Sequence, residues 1–160
     1  MASDGNLAQP PRAEPVAASR LPAGAFRSAS AVRFSHCDPA GIVYPPRFID
    51  MMNGAIEDLF PGALGLDYHS IIGEERIGLG YASVACDFFQ PARMGDQLTL
   101  TLVVDHVGGA SVRLTVYVHR DDDEVARGRF VLVTTSLVTH RPLRYEPVRS
   151  ALAAYQERCQ

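Results

Sequence analysis

Lysine is absent from this chain of 160 residues, and all 15 basic residues are arginine. Against 18 acidic residues the formal net charge is −3, which leaves no footprint for nucleic acid and no polybasic segment for an anionic membrane surface. An all-arginine basic set reads as GC-rich coding bias, although arginine also suits bidentate phosphate contact. No apolar run approaches the roughly 20 residues that a membrane-spanning helix needs. The three cysteines, Cys37, Cys86 and Cys159, are odd in number and lack metal-type spacing. That argues against a disulfide framework and for a reducing cytoplasm. His36, His69, His106, His119 and His140 form no HxxxH-type pair, so no metal site is expected. Gly78-Leu79-Gly80 is not followed by a helical pattern, and Asp121 to Glu124 lacks the spacing and glycine of a calcium loop.

What is present fits one domain. A hydrophobic fraction of 47% is ordinary for a globular chain, and this length buries roughly 70% of the unfolded surface. Residues 1–26 are rich in Ala and Pro, with Pro10, Pro11, Pro15 and Pro22 breaking every candidate helix. They read as a flexible extension, ordered only by packing on a neighbouring subunit, while 27–160 form the folded domain. Asp4 and the missing apolar segment argue against a signal peptide.

Within the domain, alternation predicts a first strand over 27–36. Phe48, Met51, Met52, Ala55, Ile56, Leu59 and Phe60 repeat at helical spacing, predicting an amphipathic helix over 46–60 that Pro61-Gly62 stops. A short helical turn is expected within 66–75. Period-two runs then predict strands over 76–89, 97–106, 112–118 and 125–139, with turns at Gly108-Gly109 and Asp121 to Asp123. A closing helix is expected over 147–158. One helix followed by four strands in meander order is an α+β plan: a single antiparallel sheet of about five strands curled around the apolar stripe. Apolar residues on both faces of 125–139 point to a covered outer sheet face, as subunit pairing would provide.

The chemistry concentrates between Ser35 and Asn53. Asp38-Pro39-Ala40-Gly41 has turn composition, Ile42-Val43-Tyr44 is apolar, and Pro45-Pro46 precedes the helix. A carboxylate on a turn and the positive end of a helix, facing one gap, can attack a carbonyl and stabilise the resulting oxyanion. On spacing alone the first reading of Asp38 is a simple turn opener, since Asp before Pro commonly starts a turn. His36 flanks it as a strand-end side chain, and Cys37 reads as a small turn residue. Asn53 lies at the margin of the helix stripe, about 100° from Met52.

Cys37 to Tyr44 (CDPAGIVY), with Pro46-Arg47-Phe48, closely resembles the signature of the 4-hydroxybenzoyl-CoA thioesterase family of the hotdog superfamily. A weaker similarity runs through the strands from about Ala82 to Thr139. The resemblance implies an acyl-CoA thioesterase, with aromatic acyl groups such as hydroxybenzoyl foremost. It makes Asp38 the catalytic carboxylate, either nucleophile or general base. It places His36, Gly41, Val43, Tyr44, Pro45, Arg47 and Asn53 around the substrate, with the carbonyl at the helix N-terminus. It implies homodimers or homotetramers with CoA between subunits. CoA is part of the substrate, so neither a cofactor nor a metal is called for.

Three departures from the family pattern stand out. The family offers a backbone N–H to the carbonyl where this chain has Pro45, which has none, so either a neighbouring N–H such as that of Arg47 or Tyr44 takes over, or the carbonyl shifts, or activity is low. The acidic residue near the acyl hydroxyl is matched by Asn53, which can donate or accept. The family's basic hairpin reads Gly108-Gly109-Ala110 here, leaving Arg93, Arg120, Arg141 or Arg144 to meet the CoA phosphates. Two other functions stay open: a hotdog acyl-thioester hydratase or dehydratase using His36, and a non-catalytic acyl-CoA-binding module.

Overall fold

The computed structural model describes residues 13–160. Five strands, β1 (Phe26–Ala31), β2 (Ile77–Phe88), β3 (Gln97–Val107), β4 (Ser111–Arg120) and β5 (Asp123–Ser136), form one antiparallel sheet. Three helices accompany it: α1 (Pro45–Leu59), α2 (Tyr68–Gly73) and α3 (Glu146–Arg158). The sheet wraps α1, whose Phe48, Met52, Ala55, Ile56 and Leu59 are buried as the stripe predicts. This is the hotdog arrangement.

The strand order is β1-β3-β4-β5-β2, which corrects the meander. β3, β4 and β5 do follow one another through tight hairpins. The eight residues 89–96 between β2 and β3 carry Pro91 and are too long for such a turn. They lead from the far edge, where β2 pairs with β5, to β3 on the opposite side of the sheet. At the sheet centre Gly128 of β5 lies against Met52, and an added Cβ would collide with the Met52 sulfur and, at 2.6 Å, with Phe130. The absent side chain lets helix and sheet approach.

Three element boundaries differ from expectation. The first strand ends at Ala31, and Phe34–His36 form a 3₁₀ turn, because Val32 already pairs with the 95–96 turn through Val32 N–H to Asp96 (2.9 Å). Pro61-Gly62 does not stop α1 cleanly. The helical path widens to a π-type turn over Phe60–Leu64, which accommodates a proline lacking an N–H, and ends at Gly65 with φ 66°. The last strand begins and ends earlier than 125–139, at Asp123 and Ser136.

Of the extension, residues 1–12 lie outside the described residues. Residues 13–25 are not loose but run along the β4–β5 hairpin of the same chain. Val16 N–H donates to Glu124 (2.6 Å), Ser19 N–H to Asp122 (2.7 Å), and His119 Nε2 meets the Val16 carbonyl (2.8 Å). α3 docks through Tyr155, whose buried hydroxyl donates to the Leu102 carbonyl and accepts from Phe26 N–H, both at 2.6 Å. No helix among the described residues is long and apolar enough to cross a membrane.

Candidate active site

Short-range bonds shape the loop between β1 and α1. Asp38 N–H donates to the Ile42 carbonyl (3.0 Å), Gly41 N–H to the Asp38 carbonyl (2.9 Å), and Cys37 pairs with Val43 as an isolated antiparallel bridge. Gly41 sits at φ 78°, a conformation that glycine adopts without Cβ strain. Ala40 N–H donates to Asp38 Oδ1 (2.8 Å), an Asx turn that fixes the carboxylate. The other carboxylate oxygen has no partner among the described residues.

The loop is anchored at its base. Val43, 3% exposed, plugs the core and donates its N–H to Ala92 (2.8 Å), while Tyr44 N–H donates to His36 (2.9 Å). The supporting segment is itself braced. Asp96 accepts from Arg93 N–H (2.9 Å) and from the Arg120 guanidinium (2.9 Å). The first of these bonds, then the arginine, holds the Asp96 carboxyl below its ordinary range.

The helix start corrects the expected oxyanion donors. α1 begins at Pro45, so both prolines occupy its first turn and supply no N–H. Arg47 N–H is already given to the Tyr44 carbonyl (2.8 Å), and Tyr44 N–H is given to His36. Neither expected substitute is free. In the loop, the Ile42 N–H has no hydrogen-bond partner among the described residues.

His36 lies in the 3₁₀ turn, not at a strand end, and its Nδ1 accepts from Arg33 N–H (3.0 Å). A neutral imidazole accepting at Nδ1 carries its proton on Nε2, which is then a donor. His36 and Arg47 come together in a cleft of about 410 Å³ between β1 and α1, whose lining does not include Asp38 or Asn53. Arg47 pairs with Asp50 (3.0 Å) in the open, a contact worth little on its own. Asn53 is exposed, and its Oδ1 accepts from the Tyr81 hydroxyl (2.7 Å).

Of the four arginines expected at the CoA phosphates, Arg120 is engaged by Asp96 and Arg144 by Glu146. Arg93 and Arg141 form no ion pair among the described residues. Beside the Gly108-Gly109 hairpin, Arg149 of α3 donates to the Gly108 carbonyl (3.0 Å), and like Arg144 it is paired with Glu146 (3.2 Å). Ile42, Tyr81 and Arg149 are the residues that sequence reasoning missed. Only the alternation of β2 hinted at Tyr81, and nothing local marked the other two.

Comparisons with known proteins agree with this frame. A 1,4-dihydroxy-2-naphthoyl-CoA thioesterase from Synechocystis shares the fold, with a TM-score of 0.74 and 23% identity over 81% of this chain and 96% of that one. A gentisyl-coenzyme A thioesterase matches with a TM-score of 0.70 and 23% identity, over 80% of this chain and 99% of that one. A 1,4-dihydroxy-2-naphthoyl-CoA hydrolase from Acaryochloris marina is 35% identical over 71 residues, 44% of this chain. The match spans 51%, about half, of that relative's length. The thioesterase-like superfamily model matches residues 32–154, which include the whole loop, α1 and strands β2 to β5, and the chain belongs to that superfamily.

Proposed function

We propose that this protein hydrolyses the thioester of an aromatic acyl-CoA, releasing the free acid and CoA. One observation carries the reading: Asp38 is held by an Asx turn with one carboxylate oxygen unpartnered, in the same loop as the unpartnered Ile42 N–H. In one route the carboxylate attacks the thioester carbon, expelling the CoA thiolate and leaving an anhydride that water opens. In the other it takes a proton from water, and the resulting hydroxide attacks. In both, Ile42 N–H donates to the carbonyl oxygen as negative charge develops, with the α1 dipole behind it. The names of the relatives, naphthoyl-CoA and gentisyl-CoA enzymes, support an aromatic acyl group.

CoA arrives as part of the substrate, and neither a metal nor a prosthetic group enters either route. The exposed stretch 82–85 of edge strand β2 favours a homodimer or homotetramer, and a location in the cytoplasm fits three unpaired cysteines. A hydratase would need His36 as a base, and its Nδ1 is already occupied. The test is a panel of acyl-CoAs incubated with a thiol reagent. Release of free CoA, fastest from aromatic thioesters, is expected. Altered acyl chains without thiol release would mean a hydratase, and binding alone would mean a carrier.

A further inference from the structure

The segment 89–96 between β2 and β3 is tied to the β4–β5 hairpin at its start, where Phe89 N–H donates to the Val125 carbonyl (2.9 Å). Beyond that point the tie is a half-buried guanidinium. Arg120, the last residue of β4, donates through Nη1 to Asp96 Oδ2 (2.9 Å) and to the Pro91 carbonyl (3.3 Å). Its Nη2 donates to Gln90 Oε1 (3.3 Å). These acceptors lie at both ends of the segment. Between them sits buried Ala92, whose carbonyl takes the Val43 N–H (2.8 Å). At the far end Val32 N–H donates to the Asp96 carbonyl and the Val32 carbonyl accepts from Gly95 N–H, both at 2.9 Å. Val32 and Val43 are buried and flank the loop that carries Asp38. That loop therefore hangs from two backbone anchors on 89–96, and Arg120 spans the stretch that holds both.

We infer that Arg120 is a positioning residue for the Asp38 loop: by holding Gln90, Pro91 and Asp96 together it fixes the anchors at Val32 and Val43. Its hold on the loop stands on geometry, whereas its effect on turnover rests on the proposed thioesterase reading. Arginine suits the task because its planar fork carries five N–H donors, whereas a lysine ammonium is a point charge. A guanidinium committed to these acceptors is not offered to the CoA phosphates.

The test compares wild type, Arg120→Ala and Arg120→Lys in the full chain. Amide hydrogen exchange reads the anchors without any substrate. In Arg120→Ala the Val43 and Val32 amides should exchange about tenfold faster relative to the Ile56 amide inside α1. Lysine can pair with Asp96 but cannot also reach Gln90 and Pro91, so Arg120→Lys should show a smaller rise at Val43. Kinetics use benzoyl-CoA and para-hydroxybenzoyl-CoA with their dephospho-CoA counterparts. In Arg120→Ala kcat should fall about 10–100-fold with KM within about threefold, because a misplaced carboxylate slows attack more than binding. Added ethylguanidinium should recover part of kcat, and the ratio of CoA to dephospho-CoA turnover should match wild type. Equal exchange changes at Val43 and Ile56 would make Arg120 merely structural and overturn the inference. If Arg120→Ala does not fold, the same comparison in Arg120→Lys decides. An unchanged kcat despite faster Val43 exchange overturns it too. So does a raised KM with kcat kept or a lost preference for CoA, which would make Arg120 a phosphate contact. Exchange as expected, with no hydrolysis by wild type across the acyl-CoA panel, overturns only the thioesterase reading.

Discussion

Gly128 of β5 faces the sulfur of Met52 on α1, and no side chain separates helix from sheet there. A methyl group at this position needs Met52 and Phe130 to move, both buried to within 1%. Overpacking of this kind costs about 1–3 kcal/mol. We expect Gly128→Ala to lower stability by that amount in urea unfolding. Met52→Ala alone should cost about 2–5 kcal/mol through its cavity, and the double variant should cost less than the sum of the two. Additive losses would mean that the two residues do not compete for the same space.

Asp38→Asn should fold normally. An asparagine Oδ1 still accepts the Ala40 N–H, so the Asx turn survives. The amide is neither a competent base nor a competent nucleophile, so kcat should fall by about 10²–10⁴. Near-wild-type turnover in a folded variant would remove Asp38 from the mechanism. A single turnover in heavy-oxygen water tests direct attack, because label in Asp38 requires an anhydride that water opens at the Asp38 carbon, whereas opening at the acyl carbon labels the acid as the general-base route does.

How far the sequence carried these conclusions depended on the range of the interactions. The α1 stripe was legible because Phe48, Met52, Ala55, Ile56 and Leu59 repeat with the helical period and are all buried. β3 and β4 were legible from period two. The place of β2 was not, because its pairing with β5 joins residues such as Ile77 and Ser136, and no local pattern encodes that partner. In the loop, residue types pointed to Asp38 and to the proline problem. Which N–H groups were already spent depended on closure of the loop, through Tyr44 to His36 and Val43 to Ala92. The partner of the Asn53 amide oxygen depended likewise on a hydroxyl 28 residues away.

Asp96 gives the loop support a pH dependence. Its folded-state pKa is depressed, first by the Arg93 N–H and then by the Arg120 guanidinium. The stability it contributes is therefore fully present above the unfolded carboxylate value, about 3.9, and is lost as pH falls through the folded value. Asp96→Asn should be less stable than wild type at pH 7. The gap should narrow on acidification below about pH 4. Unfolding curves across that range check it, and a gap that widens in acid would contradict the sign.

Assembly should be visible at the β2 edge. Residues 82–85 are exposed there, with Val84 39% and Phe88 37% exposed, and an open strand edge invites pairing. Light scattering should report a dimer or larger species. Val84→Arg should shift it toward monomer and lower activity together. A fully active wild-type monomer at micromolar concentration would exclude a shared site.

The last prediction concerns the oxyanion donor. Pro45 and Pro46 bring no N–H to the start of α1, and those of Tyr44 and Arg47 are spent within the protein. The Ile42 N–H is the one left free in this stretch among the described residues. Replacing the Ile42 amide by an ester removes that donor while keeping the side chain. Loss of one such donor costs about 10²–10³ in kcat. Pro45→Ala restores an N–H at the family's position. If Ile42 already serves the carbonyl, kcat should stay unchanged in Pro45→Ala and fall only in the ester. A rise in Pro45→Ala would show instead that the missing donor limits turnover. A large fall in Pro45→Ala without unfolding would contradict both outcomes, because it would make the rigidity of Pro45 itself the feature that positions Asp38.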